Sequence, residues 1–159
     1  MAKVTPVSEL TPIPAPFDNP LRMIAIPISY NETVLVVEDS NERIQWFRKR
    51  LPNATYRHNA EDALAVLSNF VPEVVFLDCD LTFSDVAYPN QGKLSGIRVA
   101  AHLSRTAYAG RVVIHSVNQR GAREMSRLLP RATLAPFGTF EIVMAFRSKH
   151  GNNENAGEL

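Results

Sequence analysis

The sequence predicts an α/β domain: a doubly wound, five-stranded parallel sheet with helices on both faces. Three observations carry this reading. Unbroken apolar runs such as Val34-Leu35-Val36-Val37 and Val74-Val75-Phe76-Leu77 have no polar side, so each reads as a strand covered on both faces. Between the runs lie stretches with apolar residues three and four apart, the period of an amphipathic helix. Strand and helix therefore alternate five times, the pattern of crossover units in a parallel sheet.

The elements follow in order. Residues 1–32 form a proline-rich N-terminal arm, with Pro6, Pro12, Pro14, Pro16 and Pro20 removing donors and resisting both helix and sheet. Within it, residues 22–29 are apolar enough for a strand, which Pro27 would confine to a sheet edge, or else for an arm laid on the body. Residues 33–147 form the α/β domain itself. The first central strand, 33–37, ends at Glu38-Asp39-Ser40. Ser40 or Asn41 caps a helix to about Arg50, with Ile44, Phe47 and Leu51 as its core stripe. A short strand spans 54–58. Asn59, with Asp62 three residues on, starts a second helix to about Phe70 in the manner of a capping box. The central strand 74–77 runs into Asp78-Cys79-Asp80. A long stretch, 81–95, then precedes a helix over 96–105. A strand over 112–116, a helix over 120–129 and a strand over 132–135 follow. A final short helix is expected over 139–147, and residues 148–159 form a polar C-terminal tail.

Composition limits the function classes. The formal net charge is +1, so there is no general DNA-binding signal and no field that would attract a membrane. One cysteine, Cys79, rules out an internal disulfide and a cysteine zinc cluster. No apolar run reaches membrane-spanning length, and the N-terminus has no continuous apolar stretch of the signal-peptide kind. A cytoplasmic protein is expected.

Polar chemistry collects at three strand ends: Glu38-Asp39, Asp78-Cys79-Asp80, and His115-Ser116-Val117-Asn118. In a right-handed parallel sheet these ends share one edge, where open α/β sheets bind ligands. Carboxylates gathered there repel each other unless a cation or a shared proton relieves them. Hard oxygen ligands suit Mg²⁺ or Mn²⁺. A divalent ion with hydroxyl and amide donors suits a phosphate group. Each pattern has a plainer reading as well. An isolated D-x-D can cap a turn, and His115 can be a buried structural residue. Arg120, Arg123 and Arg127 can be a solvated helix face.

This order of motifs resembles a response-regulator receiver domain, a flavodoxin-like architecture, over residues 33–147. Val34-Leu35-Val36-Val37-Glu38-Asp39 resembles the receiver acidic pair. Phe76-Leu77-Asp78 resembles the phosphoacceptor strand, and Asp80 falls where receivers offer a backbone oxygen to the metal. Val113-Ile114-His115-Ser116 resembles the strand whose hydroxyl contacts the phosphoryl group. Receivers place a lysine before Pro-Phe, whereas here Ala135 precedes Pro136-Phe137, which separates the chain from ordinary phosphorylation-driven switching. Leu77-Asp78-Cys79-Asp80-Leu81, Gly92-Lys93-Leu94-Ser95-Gly96 and His115-Ser116-Val117-Asn118 look like the divergent receiver branch proposed to process cyclic phosphates. In that branch a His commonly follows the first Asp, where this chain has Cys79. The Asp78-Cys79-Asp80 run also resembles the first motif of haloacid-dehalogenase-type phosphatases, but that fold begins with its D-x-D strand. Here a complete strand–helix–strand–helix unit comes first.

The resemblance implies a metal-dependent phosphate-handling domain, with phosphoesterase action on cyclic or terminal phosphates as the enzymatic form. Glu38, Asp39 and Asp78 would hold Mg²⁺ or Mn²⁺. Asp78, Asp80 and His115 are the catalytic candidates. Ser116, Asn118 and Lys93 are the phosphate-binding candidates, with Lys93 supplying from the 81–95 loop the charge that Ala135 lacks. The substrate would be a phosphate-bearing small molecule or an RNA end. The alternative is a non-catalytic signalling or partner-binding module, with Asp78 as phosphoacceptor and a protein as its partner.

Overall fold

The computed structural model describes residues 23–81 and 95–146. Seven strands and four helices follow one another: β1 (Ile24–Ser29), β2 (Val34–Val37), α1 (Asn41–Arg50), β3 (Thr55–Arg57), α2 (Ala60–Asn69), β4 (Val74–Leu77), α3 (Ser95–Arg105), β5 (Arg111–Ile114), α4 (Gln119–Leu128), β6 (Thr133–Leu134) and β7 (Phe140–Ala145). The main sheet has the order β3-β2-β4-β5-β6. Every neighbouring pair in it is parallel. The chain winds outward from β2 to β3, then returns to place β4 on the other side of β2. The switch point of the sheet thus lies between the ends of β2 and β4, where such folds open a crevice.

Three of the helices, α1, α2 and α4, begin where a side chain satisfies one of their free backbone donors. The Ser40 hydroxyl accepts from the Arg43 N–H at 3.4 Å. Asn59 accepts from the Asp62 N–H at 2.8 Å, and Asn118 accepts from the Gly121 N–H at 3.0 Å.

Alternate residues of the strands leave for opposite faces. Leu35, Val37, Val75, Leu77, Val112 and Ile114 face α2, α3 and α4, meeting Ala63, Leu103 and Met125. Val34, Val36, Val74, Phe76 and Val113 face the other way, onto Phe47 and Leu51 at α1, Ile26 and Ile28 of β1, and Phe140 of β7.

The second face departs from expectation. The helix expected over 139–147 is replaced, in its described part 139–146, by the strand β7, paired in parallel with β1 from Ile24↔Phe140 to Ser29↔Ala145. The local sequence supports both periods. Phe140, Val143 and Met144 have helical spacing, while Phe140, Ile142 and Met144 alternate as a strand does. The free edge of β1 decides the matter. Ile26 and Ile28 are buried on the same layer as Phe140, and Pro27 is tolerated because each strand of a two-stranded sheet is an edge. Among the described residues, no helix is long and apolar enough to cross a membrane.

Candidate functional site

The backbone ladder runs one step past the strands and keeps their ends level. Glu38 N–H donates to Arg57 O at 3.0 Å, Asp78 N–H to Val37 O at 3.1 Å, and His115 N–H to Leu77 O at 3.1 Å. Glu38, Asp78 and His115 keep the parity of Val36, Phe76 and Val113, so all three lean toward the α1 face. They are buried there, at 1%, 3% and 0% exposure.

Glu38 is fully engaged. One carboxylate oxygen accepts from the Ser40 N–H at 2.8 Å. The other lies 3.0 Å from His115 Nε2 and 3.3 Å from Arg43 Nη1. Burial works to raise this carboxyl, but His115, the Ser40 N–H and Arg43 outweigh it and hold it below the usual range. His115 lies against the rings of Phe47 and Phe76. Its Nδ1 is buried with no hydrogen-bond partner among the described residues.

Asp78 is balanced the other way. Oδ1 accepts from the Cys79 N–H at 2.7 Å, Oδ2 lies 3.3 Å from Arg43 Nη1, and the Ser116 hydroxyl is a further partner. Burial, with the nearby Glu38 charge, nevertheless raises its carboxyl above the ordinary value against the lowering by His115, Ser116 and the Cys79 N–H. A carboxylate so placed gains from a cation. One oxygen each of Glu38, Asp39 and Asp78 falls within 4.8 Å of the others, a hard donor set of the kind Mg²⁺ and Mn²⁺ take.

Cys79 points to the opposite face, buried beneath α4. Burial, with Asp80 and Asp78 adding to it, pushes its thiol up to about 12, which makes it an inert packing group. Asp80 is half-buried, and both its oxygens accept from the Asn118 amide, at 3.0 and 3.1 Å. The Asn118 amide oxygen meanwhile caps α4, and its backbone N–H donates to Ser116 Oγ at 3.2 Å. Asp80, Ser116 and Asn118 are therefore one connected group. Lys93 lies outside the described residues.

Three residues outside the set of sequence-predicted site residues shape this edge. Arg43 touches both buried carboxylates. Its signal was positional: a cation in the first turn of a helix opposes the helix dipole unless an anion sits beside it. The other two are glycines. A Cβ on Gly96 would meet Asp78 O at 2.0 Å, and one on Gly121 would meet Cys79 Sγ at 2.1 Å. Both helices thus press directly on the Asp78-Cys79-Asp80 segment, and the Gly96 N–H donates to Cys79 O at 2.9 Å.

Comparison with known proteins places the chain. The family model described as "Cyclic-phosphate processing Receiver domain" matches residues 32–131. No curated protein matches the sequence. Among solved structures, the chain is similar to the signal receiver domain of a Vibrio parahaemolyticus protein described as a Luxo repressor, with 17% identity, 65% of this chain and 76% of that one covered, and a TM-score of 0.50. It is also similar to the signal receiver domain of a modulated diguanylate cyclase from Desulfovibrio desulfuricans G20 (21% identity, 65% and 80% covered, TM-score 0.48). A third is the receiver domain of the Francisella response regulator 1452 (17% identity, 70% and 84% covered, TM-score 0.49). The likeness to the first of these is one of fold.

Proposed function

The chain belongs to the family of cyclic-phosphate processing receiver domains, and from that premise we propose that its acidic edge is a metal-assisted phosphoesterase site for cyclic or terminal phosphates. The observation that carries this reading is the convergence of Glu38, Asp39 and Asp78 within 4.8 Å at the switch point of the sheet. These three residues would hold Mg²⁺ or Mn²⁺. The chemistry such an ion supplies when bound is polarisation of a phosphoryl oxygen.

The chain's own residues have separate tasks. Ser116 offers a hydroxyl to the phosphate beside Asp78. Asp80, half-buried and oriented by Asn118, is placed to exchange a proton with a leaving or attacking oxygen. His115, fully buried against Glu38, orients that carboxylate without reaching the substrate. The substrate class is a phosphoester on a small molecule or an RNA end.

The test joins metal binding to turnover. Millimolar Mg²⁺ or Mn²⁺ should raise the melting temperature by mass action on the folded state, and a panel of linear and cyclic phosphoesters should reveal hydrolysis that Asp78→Ala abolishes. A flat melting temperature together with no hydrolysis would end this reading. A stable phosphoryl group on Asp78 without turnover would make the domain a signalling module instead.

A further inference from the structure

We propose that Arg43 is a phosphate-contact residue of this site, presenting its guanidinium to a phosphate oxygen from the α1 side. The inference deepens the reading above and rests on it for the identity of the site as phosphate-handling.

Four observations carry it. First, a single nitrogen, Nη1, makes both carboxylate contacts, to Glu38 and Asp78 at 3.3 Å each. A charge-assisted bond that is tightly made is about 2.7–2.9 Å long, so the contact is loose and shared. The guanidinium has five N–H donors, and those on its other nitrogens make no hydrogen bond among the described residues. Second, neither carboxylate depends on Arg43 alone. Glu38 has His115 and the Ser40 N–H, and Asp78 has the Cys79 N–H. Third, the Arg43 side chain keeps 24% of its surface exposed, against 0% and 5% for the two carboxylate side chains it touches. It is the part of this buried group that solvent, and so a ligand, can reach. Fourth, the guanidinium carbon lies 5.5 Å from the centre of the Phe137 ring, close enough for a cation–π contact that limits its swing.

The end of β6 supplies no competing charge. Ala135 there is fully buried and presents only a methyl group. A planar guanidinium suits the two free oxygens of a phosphate ester, which it can meet with two parallel bonds.

The experiment measures binding of inorganic phosphate to the full chain by calorimetry, once in EDTA and once with saturating Mn²⁺. Arg43→Ala should weaken phosphate binding on the order of tenfold in both conditions, the scale of one charged hydrogen bond, and Arg43→Lys should recover part of it. In parallel, phosphate should shield Arg43 of the wild-type chain from phenylglyoxal, read by mass spectrometry, while the exposed Arg123 on α4 stays reactive. This second measurement stands even where a variant fails to fold. Equal phosphate affinity in wild type and Arg43→Ala, no phosphate binding by wild type, or modification of Arg43 that phosphate does not slow, each overturns the proposal. Loss of only the Mn²⁺ response would instead count against the metal-assisted reading, since the EDTA comparison does not involve the ion.

Discussion

Asp78 and Asp80 leave the same strand two residues apart, one 3% exposed between Arg43 and Ser116, the other half-buried with both oxygens on one amide. Asp78 sits among charges, and burial leaves its carboxyl raised. Asp80 sits beside a neutral donor that also caps α4. The difference separates two kinds of work. A buried carboxylate near a second one favours a cation, while an oriented, half-open carboxylate can exchange a proton with a ligand.

The sharpest test of that division is a pair of variants read by two assays. Asp78→Ala should abolish both phosphoester turnover and the Mn²⁺-dependent rise in melting temperature. Asp80→Asn should lower turnover about 10²- to 10⁴-fold, the usual span for a general acid or base, and leave the Mn²⁺ response in place. If the Mn²⁺ response vanishes in both, the division is wrong and Asp80 is a ligand.

The next effect concerns the segment between the two carboxylates. Gly96→Ala sets a methyl 2.0 Å from the Asp78 carbonyl oxygen, a backbone atom that cannot rotate away. Chemical denaturation should show a loss of about 3 kcal/mol, the upper end of ordinary overpacking. Gly121→Ala meets instead the Cys79 thiol, so its cost should be smaller and should shrink further in a Gly121→Ala/Cys79→Ala double variant. Equal costs for the two glycines would show that α3 and α4 do not press on the segment in these different ways.

On the Asp80 side, Asn118→Ala removes a helix cap, worth about 1 kcal/mol, and releases the Asp80 carboxylate. Asn118→Asp keeps a capping oxygen but sets a second carboxylate against Asp80. Urea midpoints should fall in both variants, and turnover should fall more in the aspartate one. A stable, fully active Asn118→Asp would remove this contact from the account.

The smallest effect is electrostatic and has a definite sign. Because the folded state raises the Asp78 carboxyl, it holds that proton more tightly than the unfolded chain does. Stability from this group is therefore lost as pH rises from the ordinary carboxylate range through the raised value. Glu38 acts in reverse: its contribution is present above the ordinary range and is lost as pH falls through its lowered value. Without added metal, Asp78→Asn should then melt higher than wild type at neutral pH, by roughly 2–4 °C for each kcal/mol relieved. The gap should close below about pH 4, where a carboxyl is already protonated. A lower melting temperature for Asp78→Asn at neutral pH would mean that Arg43 and Ser116 over-compensate the buried charge.

Much of this arrangement was legible in the chain. The unbroken apolar runs at 34–37 and 74–77 fixed two central strands, because only a strand covered on both faces dispenses with polar alternation. Asn59 with Asp62 marked the start of α2, since the free donors of a first turn call for such a side chain. The acidic strand ends were legible for a similar reason: a parallel sheet brings the ends of its strands to one edge. Arg43 was not legible as a site residue, because it stands five positions along the chain from Glu38 and thirty-five from Asp78, and the second contact exists only once β4 lies beside β2.

By itself the sequence determined the alternation of strands and helices through residue 135, the caps of the first two helices and the placement of Glu38, Asp39, Asp78, Asp80, Ser116 and Asn118 on one edge. Each of these follows from local spacing and from the geometry every parallel sheet shares. Tertiary structure alone decided three things. It made 140–145 a strand, because a run with both periods takes the one its neighbour rewards, and β1 offered an edge. It split the two aspartates between Arg43 and Asn118. It turned His115 inward onto Glu38, because the parity of β5 sends that position toward Phe47 and Phe76, and a buried imidazole takes the nearest carboxylate as its partner.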